Sequence, residues 1–224
     1  MSPRIWRDFL ENILVAVFLA LFVRTFVMTG YRVPTSSMAP TLLPGDFIFS
    51  YRLPYGIKLP LTQSKWVIQT PSRGDVVAFT FPEQPNVTYV KRVVGIGGDR
   101  IEIKRGRLLL NGQPLEYRDA TSANFDASGF QVSAEMLGRR SHLVAREMSL
   151  AGRDFGPFIV GDGQVFLLGD NRDASDDSRY WGAVPVERIE GEICWIWLSL
   201  DWGQRIWEGW LPRLRLERLF TRVQ

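Results

Sequence analysis

Tyr89-Val-Lys-Arg-Val-Val-Gly-Ile-Gly-Gly-Asp99 reads as a β-strand with two cations in its middle. The valines at 90, 93 and 94 favour a strand. Period-two alternation sends Lys91 and Arg92 to opposite faces, so one of the two has to point inward. Burial disfavours an ammonium and lowers a lysine pKa by up to several units, whereas a guanidinium stays charged. Lys91 is therefore a candidate general base. Taken alone, the position also suits a snorkelling or salt-bridged lysine at a sheet edge. Gly95, Gly97 and Gly98 lack the spacing and the following helix of a dinucleotide loop.

On either side of this strand the pattern stays β from Tyr31 onward. Short apolar runs occupy Asp46–Ser50, Asp75–Phe81, Val87–Val94, Arg100–Lys104, Arg107–Leu110, Val165–Leu168 and Ile193–Leu198. Turn signals divide them: Pro44-Gly-Asp, Arg73-Gly-Asp, Gly97-Gly-Asp and Asn111-Gly. Arg105-Gly106 and Gly97-Gly98 each suggest a hairpin. Residues 118–156 are polar and weakly periodic, and read as an insertion, not core. Pro212–Gln224 has apolar residues at 216, 219, 220 and 223 with Arg at 213, 215, 218 and 222, which suits a short amphipathic helix. Five Trp lie within 195–210, so this end either sits at a membrane interface or docks on the protein.

Two further patches carry polar chemistry. In Val33-Pro-Thr-Ser-Ser-Met-Ala-Pro-Thr-Leu42, prolines bracket three hydroxyls and stiffen the loop. It can hold one hydroxyl in a fixed place, although the composition also suits an ordinary Ser/Thr/Pro linker. Leu168-Gly-Asp-Asn-Arg-Asp-Ala-Ser-Asp-Asp-Ser-Arg-Tyr-Trp-Gly182 is dense in Asp and Arg. It fails as a calcium loop, since the twelfth position from Asp170 is Trp181 and the sixth is not Gly. A loop of Asp/Arg pairs propping a site is the reading that remains beside a plain solvated turn. No Ser-x-x-Lys pattern surrounds Ser36 or Ser37, so a lysine base has to come from far along the chain.

Composition narrows the chemistry. The first 204 residues balance 22 basic against 22 acidic side chains, and the net charge of +3 sits in the Arg-rich end. A neutral body with one basic end points to no nucleic-acid partner. Cys194 is the single cysteine, lies in an apolar run and reads as a buried inert thiol. His142 is the single histidine and sits in a segment that looks like polar surface, Arg-Arg-Ser-His-Leu. A two-His zinc site within the chain is impossible. Phe9–Met28 supplies twenty mostly apolar residues, about 30 Å of helix, which matches a hydrocarbon core. It is read as a membrane anchor, with Glu11, Asn12 and Arg24 near its ends, beside the competing reading of a buried core helix. The site for signal cleavage, Val27-Met28-Thr29-Gly30, is poor. Arg4 and Arg7 on one side cancel Arg24 and Arg32 on the other, so charge alone sets no orientation.

Together, Pro34-x-x-Ser37-Met-x-Pro-Thr-Leu42, Arg73-Gly-Asp-Val-Val77, Tyr89-Val-Lys-Arg92 and Gly169-Asp-Asn-Arg-Asp-x-Ser-x-Asp-Ser-Arg-Tyr-Trp-Gly182, in this order after an apolar segment, resemble the type I signal peptidases of bacteria and organelles. The resemblance covers Phe9–Asp99 and Gly161–Trp197. It implies a mainly β fold: antiparallel sheets of the signal peptidase type, an N-terminal transmembrane helix and a variable inserted subdomain. The implied division is an anchor at 1–29, a catalytic β core at 30–105 and 158–200, an insertion at 106–157 and a basic Trp/Arg-rich tail at 201–224.

The resemblance also implies roles. Ser37 would be the nucleophile, not Ser36, and Lys91 the base with Arg92 as its neighbour. Thr35 stands where the family commonly has Ser; its hydroxyl and the Ser37 backbone N–H would form the oxyanion hole. Ser175 would orient the lysine amine, and Asp177 and Arg179 would form a supporting ion pair. Ala174 replaces a common Asn. Val33, Met38, Leu42, Tyr89 and Val90 would line pockets for small residues at −1 and −3 of the signal peptides of exported preproteins. No metal or cofactor is implied. The other implied partner is a lipid bilayer: the plasma membrane or a thylakoid-type membrane, crossed once, with the catalytic body on the extracytoplasmic side.

Overall fold

A computed structural model describes residues 3–58, 65–150, 152–206 and 211–224. Helix α1 (Pro3–Phe22) runs into a π turn (Val23–Val27). The span Trp6–Val27 is long and apolar enough to cross a membrane, and none of it is buried inside the protein. The chain then enters strand β1 (Met28–Arg32) directly, so the helix is joined to the sheet without a linker.

The main sheet is antiparallel. It comprises β1, β2 (Asp46–Tyr51), β3 (Val76–Thr80), β4 (Thr88–Ile96), β11 (Gln164–Leu168) and β12 (Ile189–Ile206), in the spatial order β1-β2-β12-β3-β4-β11. The short strand Val184–Pro185 extends it beyond β11. Beside it, β5 (Arg100–Lys104) and β6 (Arg107–Leu110) form a hairpin that β10 (Phe155–Ile159) joins on the far edge of β5. A third sheet packs β7 (Glu116–Asp119), β8 (Phe130–Leu137) and β9 (Arg140–Glu147) in that order. The β5/β6 turn is the hairpin expected at Arg105-Gly106, with both residues at positive φ.

Several expectations need correction. Gly97-Gly98 does not close a hairpin: β4 and β5 belong to different sheets, and the turn carries the chain from one to the other. Asp99 fixes that corner, accepting from Ile96 N (2.9 Å), Asn111 Nδ2 (2.9 Å) and Arg73 Nη2 and Nε (2.6 and 2.7 Å). Residues 118–156, read as an insertion, contain most of a sheet, while the β5/β6 hairpin and β10 run across positions 105/106 and 157/158. Pro212–Gln224 is not helical. β13 (Leu211–Leu214) and β14 (Thr221–Arg222) both pair with the long β12, with one 3₁₀ turn at Leu216–Arg218 between them. The open edge of β12 supplies backbone partners, and Leu214-Arg215-Leu216 fits a period of two as well as it fits a helix. Of the five Trp in 195–210, Trp207 and Trp210 lie outside the described residues.

The core explains what strand alternation left open. Val76 and Ala78 of β3 pack with Val33, Met38, Leu42 and Ile48, while Val77 and Phe79 pack with Val93, Val165, Leu167 and Ile189. The middle of the main sheet is thus covered on both faces. Lys91 and Arg92, which lie opposite Val77 and Val76, are consequently both buried, at 4% and 1% exposure. The choice of one inward cation holds only for a sheet with one wet face.

The C-terminal segment closes the sheet from behind. Arg218 is buried and donates to both oxygens of the buried Asp46 (3.2 and 2.5 Å) and to Thr41 O (3.0 Å). Breaking a buried pair by removing one partner strands the other charge. Arg218→Ala should therefore lower stability by about 3–5 kcal/mol in urea unfolding of the detergent-solubilised protein; a loss below about 1 kcal/mol would contradict the packing described.

Candidate active site

The loop after β1 is shaped by its own backbone bonds. Val33 N donates to Asp46 O, Ala39 N to Ser36 O and Leu42 N to Met38 O. Met38 and Leu42 are sunk in the core and pin the loop, leaving Ser36 exposed and Ser37 half-buried at its crest. Burial of Met38 on one side of the turn is what separates the two serines.

Lys91 Nζ donates to Ser37 Oγ at 2.7 Å. Thr35 Oγ1 and Ser37 Oγ lie 3.3 Å apart. Burial lowers the Lys91 pKa to about 8, against the pull of the Asp177, Asp176 and Asp170 carboxylates, with the Arg179 guanidinium adding to the fall. The Tyr89 ring sits 5.5 Å from the amine. A fraction of Lys91 is then neutral near pH 7, and the Ser37 hydroxyl stands where it can donate its proton to the amine lone pair.

Arg92 builds the frame behind. It donates to both oxygens of Asp170 (2.8 and 2.7 Å), to Gly74 O (2.8 Å) and to Gln224 O (2.9 Å). Burial alone would raise the Asp170 carboxyl, but the Arg92 charge overrides it and the pKa lies below the usual range. Asp170 also accepts from Thr41 Oγ1 (2.5 Å), on the Ser37 loop. Next to it, Asn171 N donates to Ser37 O (3.1 Å) and Asn171 Nδ2 to Ser36 O (3.3 Å). Gly169 has to be glycine: a Cβ there would lie 2.2 Å from Ser175 Oγ and 2.5 Å from Ser37 O.

The supporting residues fall as follows. Asp177 pairs with Arg179 (2.7 Å), accepts from Gly169 N (3.0 Å) and caps the short helix Ser178–Trp181. Arg179 also donates to Arg172 O (2.5 Å). Ser175 is buried beside Gly169, but its Oγ has no hydrogen-bond partner, and the amine it was expected to orient is bonded to Ser37. His142 is not surface: it is buried on β9, opposite Glu135 of β8, with burial holding its pKa down. The flanking arginines disguised an inward position. Thr41, Asp170 and Asn171 carry the frame and were given no role from sequence, although all lie within the quoted patches.

Val33, Met38, Leu42, Tyr89 and Val90 all line one cleft of about 360 Å³, with Thr35, Ser37 and Lys91 along it and Ala174 and Asp176 also on its wall. Cys194 is half-buried, and burial raises its thiol pKa. Among the described residues no three His, Cys, Asp or Glu side chains converge as a metal site would require.

An amine against a hydroxyl, in an apolar cleft, is the equipment of a hydrolase that works through a side-chain nucleophile. The family model described as "Signal peptidase, peptidase S26" matches residues 6–198, and the chain belongs to that family: it is a peptidase. It is similar to signal peptidase I of Pseudomonas aeruginosa, 36% identical over 82% of this chain and 69% of that protein. Signal peptidase I of Rickettsia typhi is 32% identical, over 92% and 89% respectively. A solved signal peptidase I from Enterococcus faecalis V583 is 27% identical, covering 55% of this chain and 97% of its own, with a TM-score of 0.35.

The depressed lysine has a stability consequence. Relative to the ordinary 10.5, a folded value of about 8 means the unfolded chain binds more protons between those two pH values. The penalty is full below pH 8 and disappears as pH rises past 10.5. Lys91→Met should therefore stabilise the protein at pH 7 by roughly 3 kcal/mol or somewhat less, with the gain fading toward pH 10. Urea unfolding at a series of pH values reads this directly, and a pH-independent difference would contradict it.

Proposed function

We propose that this peptidase removes N-terminal signal peptides from exported preproteins, cutting after small residues at −3 and −1, with Ser37 as nucleophile and Lys91 as general base. The observation that carries the reading is the 2.7 Å contact between a buried, easily neutralised amine and the Ser37 hydroxyl. Neutral Lys91 accepts the Ser37 proton as Oγ attacks the scissile carbonyl. The oxyanion takes hydrogen bonds from the Ser37 backbone N–H and the Thr35 hydroxyl. Lys91 then returns the proton to the leaving amine, and the acyl-enzyme is hydrolysed by a water that Lys91 activates. The apolar walls of the cleft, Val33, Met38, Leu42 and Val90, favour Ala-sized side chains beside the cut. Asp177 and Arg179 brace the segment that carries Ala174 and Asp176 of the cleft wall, and to Ser175 this reading assigns the orienting of the amine.

The bilayer forms the second partner in this reading. Trp6–Val27 crosses it once, placing the sheets on the extracytoplasmic side of a plasma or thylakoid-type membrane. Exposed Trp195, Trp202, Leu211, Leu214 and Phe220, with the exposed Arg213 and Arg222, suit a lipid interface. They lie on β12, on β13 and in the turn before β14, and β12 pairs with β2, the neighbour of the strand that follows the anchor.

In proteoliposomes with a preprotein carrying an Ala-x-Ala site, Ser37→Ala and Lys91→Arg should each lose at least about 1000-fold in kcat/KM, and Ser36→Ala should stay within a few-fold of wild type. Thr35→Val should cost about 100–1000-fold in kcat. Because the working base is the neutral amine, kcat/KM should rise with pH through a midpoint near 8. Activity in Lys91→Arg would remove Lys91 as base, and an active Ser37→Ala would reassign the nucleophile.

A further inference from the structure

The inserted sheet β7-β8-β9 touches the site through one buried charge cluster. Glu135 on β8 is fully buried and accepts from Arg172 Nη1 and Nη2 (2.7 and 2.6 Å) and from Tyr117 Oη of β7 (2.5 Å). His142 Nε2 lies 3.3 Å from the same carboxylate and 4.0 Å from Asp170. The backbone adds a clasp: Ala145 N of β9 donates to Asp170 O, and Arg172 N donates to Ala145 O (both 2.9 Å). Glu147 N donates to Asp173 Oδ2 (2.9 Å). Residues 170–173 are thus clipped to the edge of β9 through a single parallel bridge between Ala145 and Asn171. Between the gripped residues stands Asn171, whose N–H and side-chain amide hold Ser37 O and Ser36 O. A bidentate carboxylate–guanidinium pair fixes angle as well as distance, so the orientation of Asn171 is set from β8.

We propose that the inserted sheet is a positioning device for the nucleophile, with Glu135 as its positioning residue, acting through Arg172 and Asn171 on the backbone of Ser37. This rests on the Ser37/Lys91 reading above. Its substance is geometric: Glu135 touches neither substrate nor Lys91, so its loss should misplace Ser37 without altering how the cleft binds or where the base titrates. A displacement of about 1 Å at a nucleophile is enough to cost on the order of 100-fold in rate.

The test compares wild type, Ser37→Ala, Glu135→Gln and the double variant Glu135→Leu/Arg172→Met in the proteoliposome assay, with thermal unfolding of each. Gln places an amide donor against the guanidinium and breaks the bidentate grip. The apolar pair removes both buried charges together, which restores folding where a single stranded charge impairs it. Both variants should lose about 10–100-fold in kcat with KM within about twofold and the pH midpoint unmoved. The apolar pair should stay slow even where it melts at or above the wild-type temperature. Wild-type kcat in either folded variant would overturn this proposal alone, as would a loss that appears only in KM. Activity in Ser37→Ala would overturn it together with the reading on which it stands.

Discussion

Strand β4 is buried on both faces and carries two cations side by side in that dry environment. The two have opposite fates because their chemistry differs. Arg92 keeps its charge and is matched by Asp170, a backbone carbonyl of the β3 approach and the C-terminal Gln224 carbonyl. Lys91 is hydrogen-bonded to a hydroxyl, and the nearby carboxylates do not offset its burial, so its charge is the one that yields. Had the order of the two residues been reversed, the permanently charged side chain would face Ser37 and no neutralisable amine would stand there.

Everything else in the site serves to keep the hydroxyl on that amine. The Ser37 loop is held at three levels. Met38 and Leu42 anchor it by apolar burial. Asp170 and Asn171 bond to Thr41, Ser36 and Ser37 from the loop that follows β11. Arg218 reaches in from the C-terminal segment to Asp46 and Thr41 O. The hydrogen bonds among these contacts join residues separated by 129 to 177 positions in the chain. The site is therefore a product of the completed sheet, and local sequence does not build it.

That distribution explains what could be read beforehand. The strands were legible because β-branched runs alternate between clear turn signals; Arg100–Lys104 and Arg107–Leu110 fall where the pattern puts them. Ser37 and Lys91 were legible through the patches around them, each weak alone. The second buried cation was hidden, because alternation tells which residues share a face and not whether the other face is also covered. The C-terminal segment was misread as a helix because its partner, the open edge of β12, lies elsewhere in the chain. His142 and Glu135 were hidden among arginines. A polar stretch looks like surface until the counter-charges, here Arg172 and Asp170 from another patch, are brought to it.

Burial should leave Lys91 deprotonated at a pH where other lysines are not. The chain has only four lysines, at 58, 65, 91 and 104, so selective ¹³C labelling at Cε with Lys91→Arg as the assignment control isolates its signal. Titrating the protein in lipid nanodiscs should give a midpoint near 8 for that resonance. A midpoint at the ordinary 10.5, with the protein folded, would contradict the account.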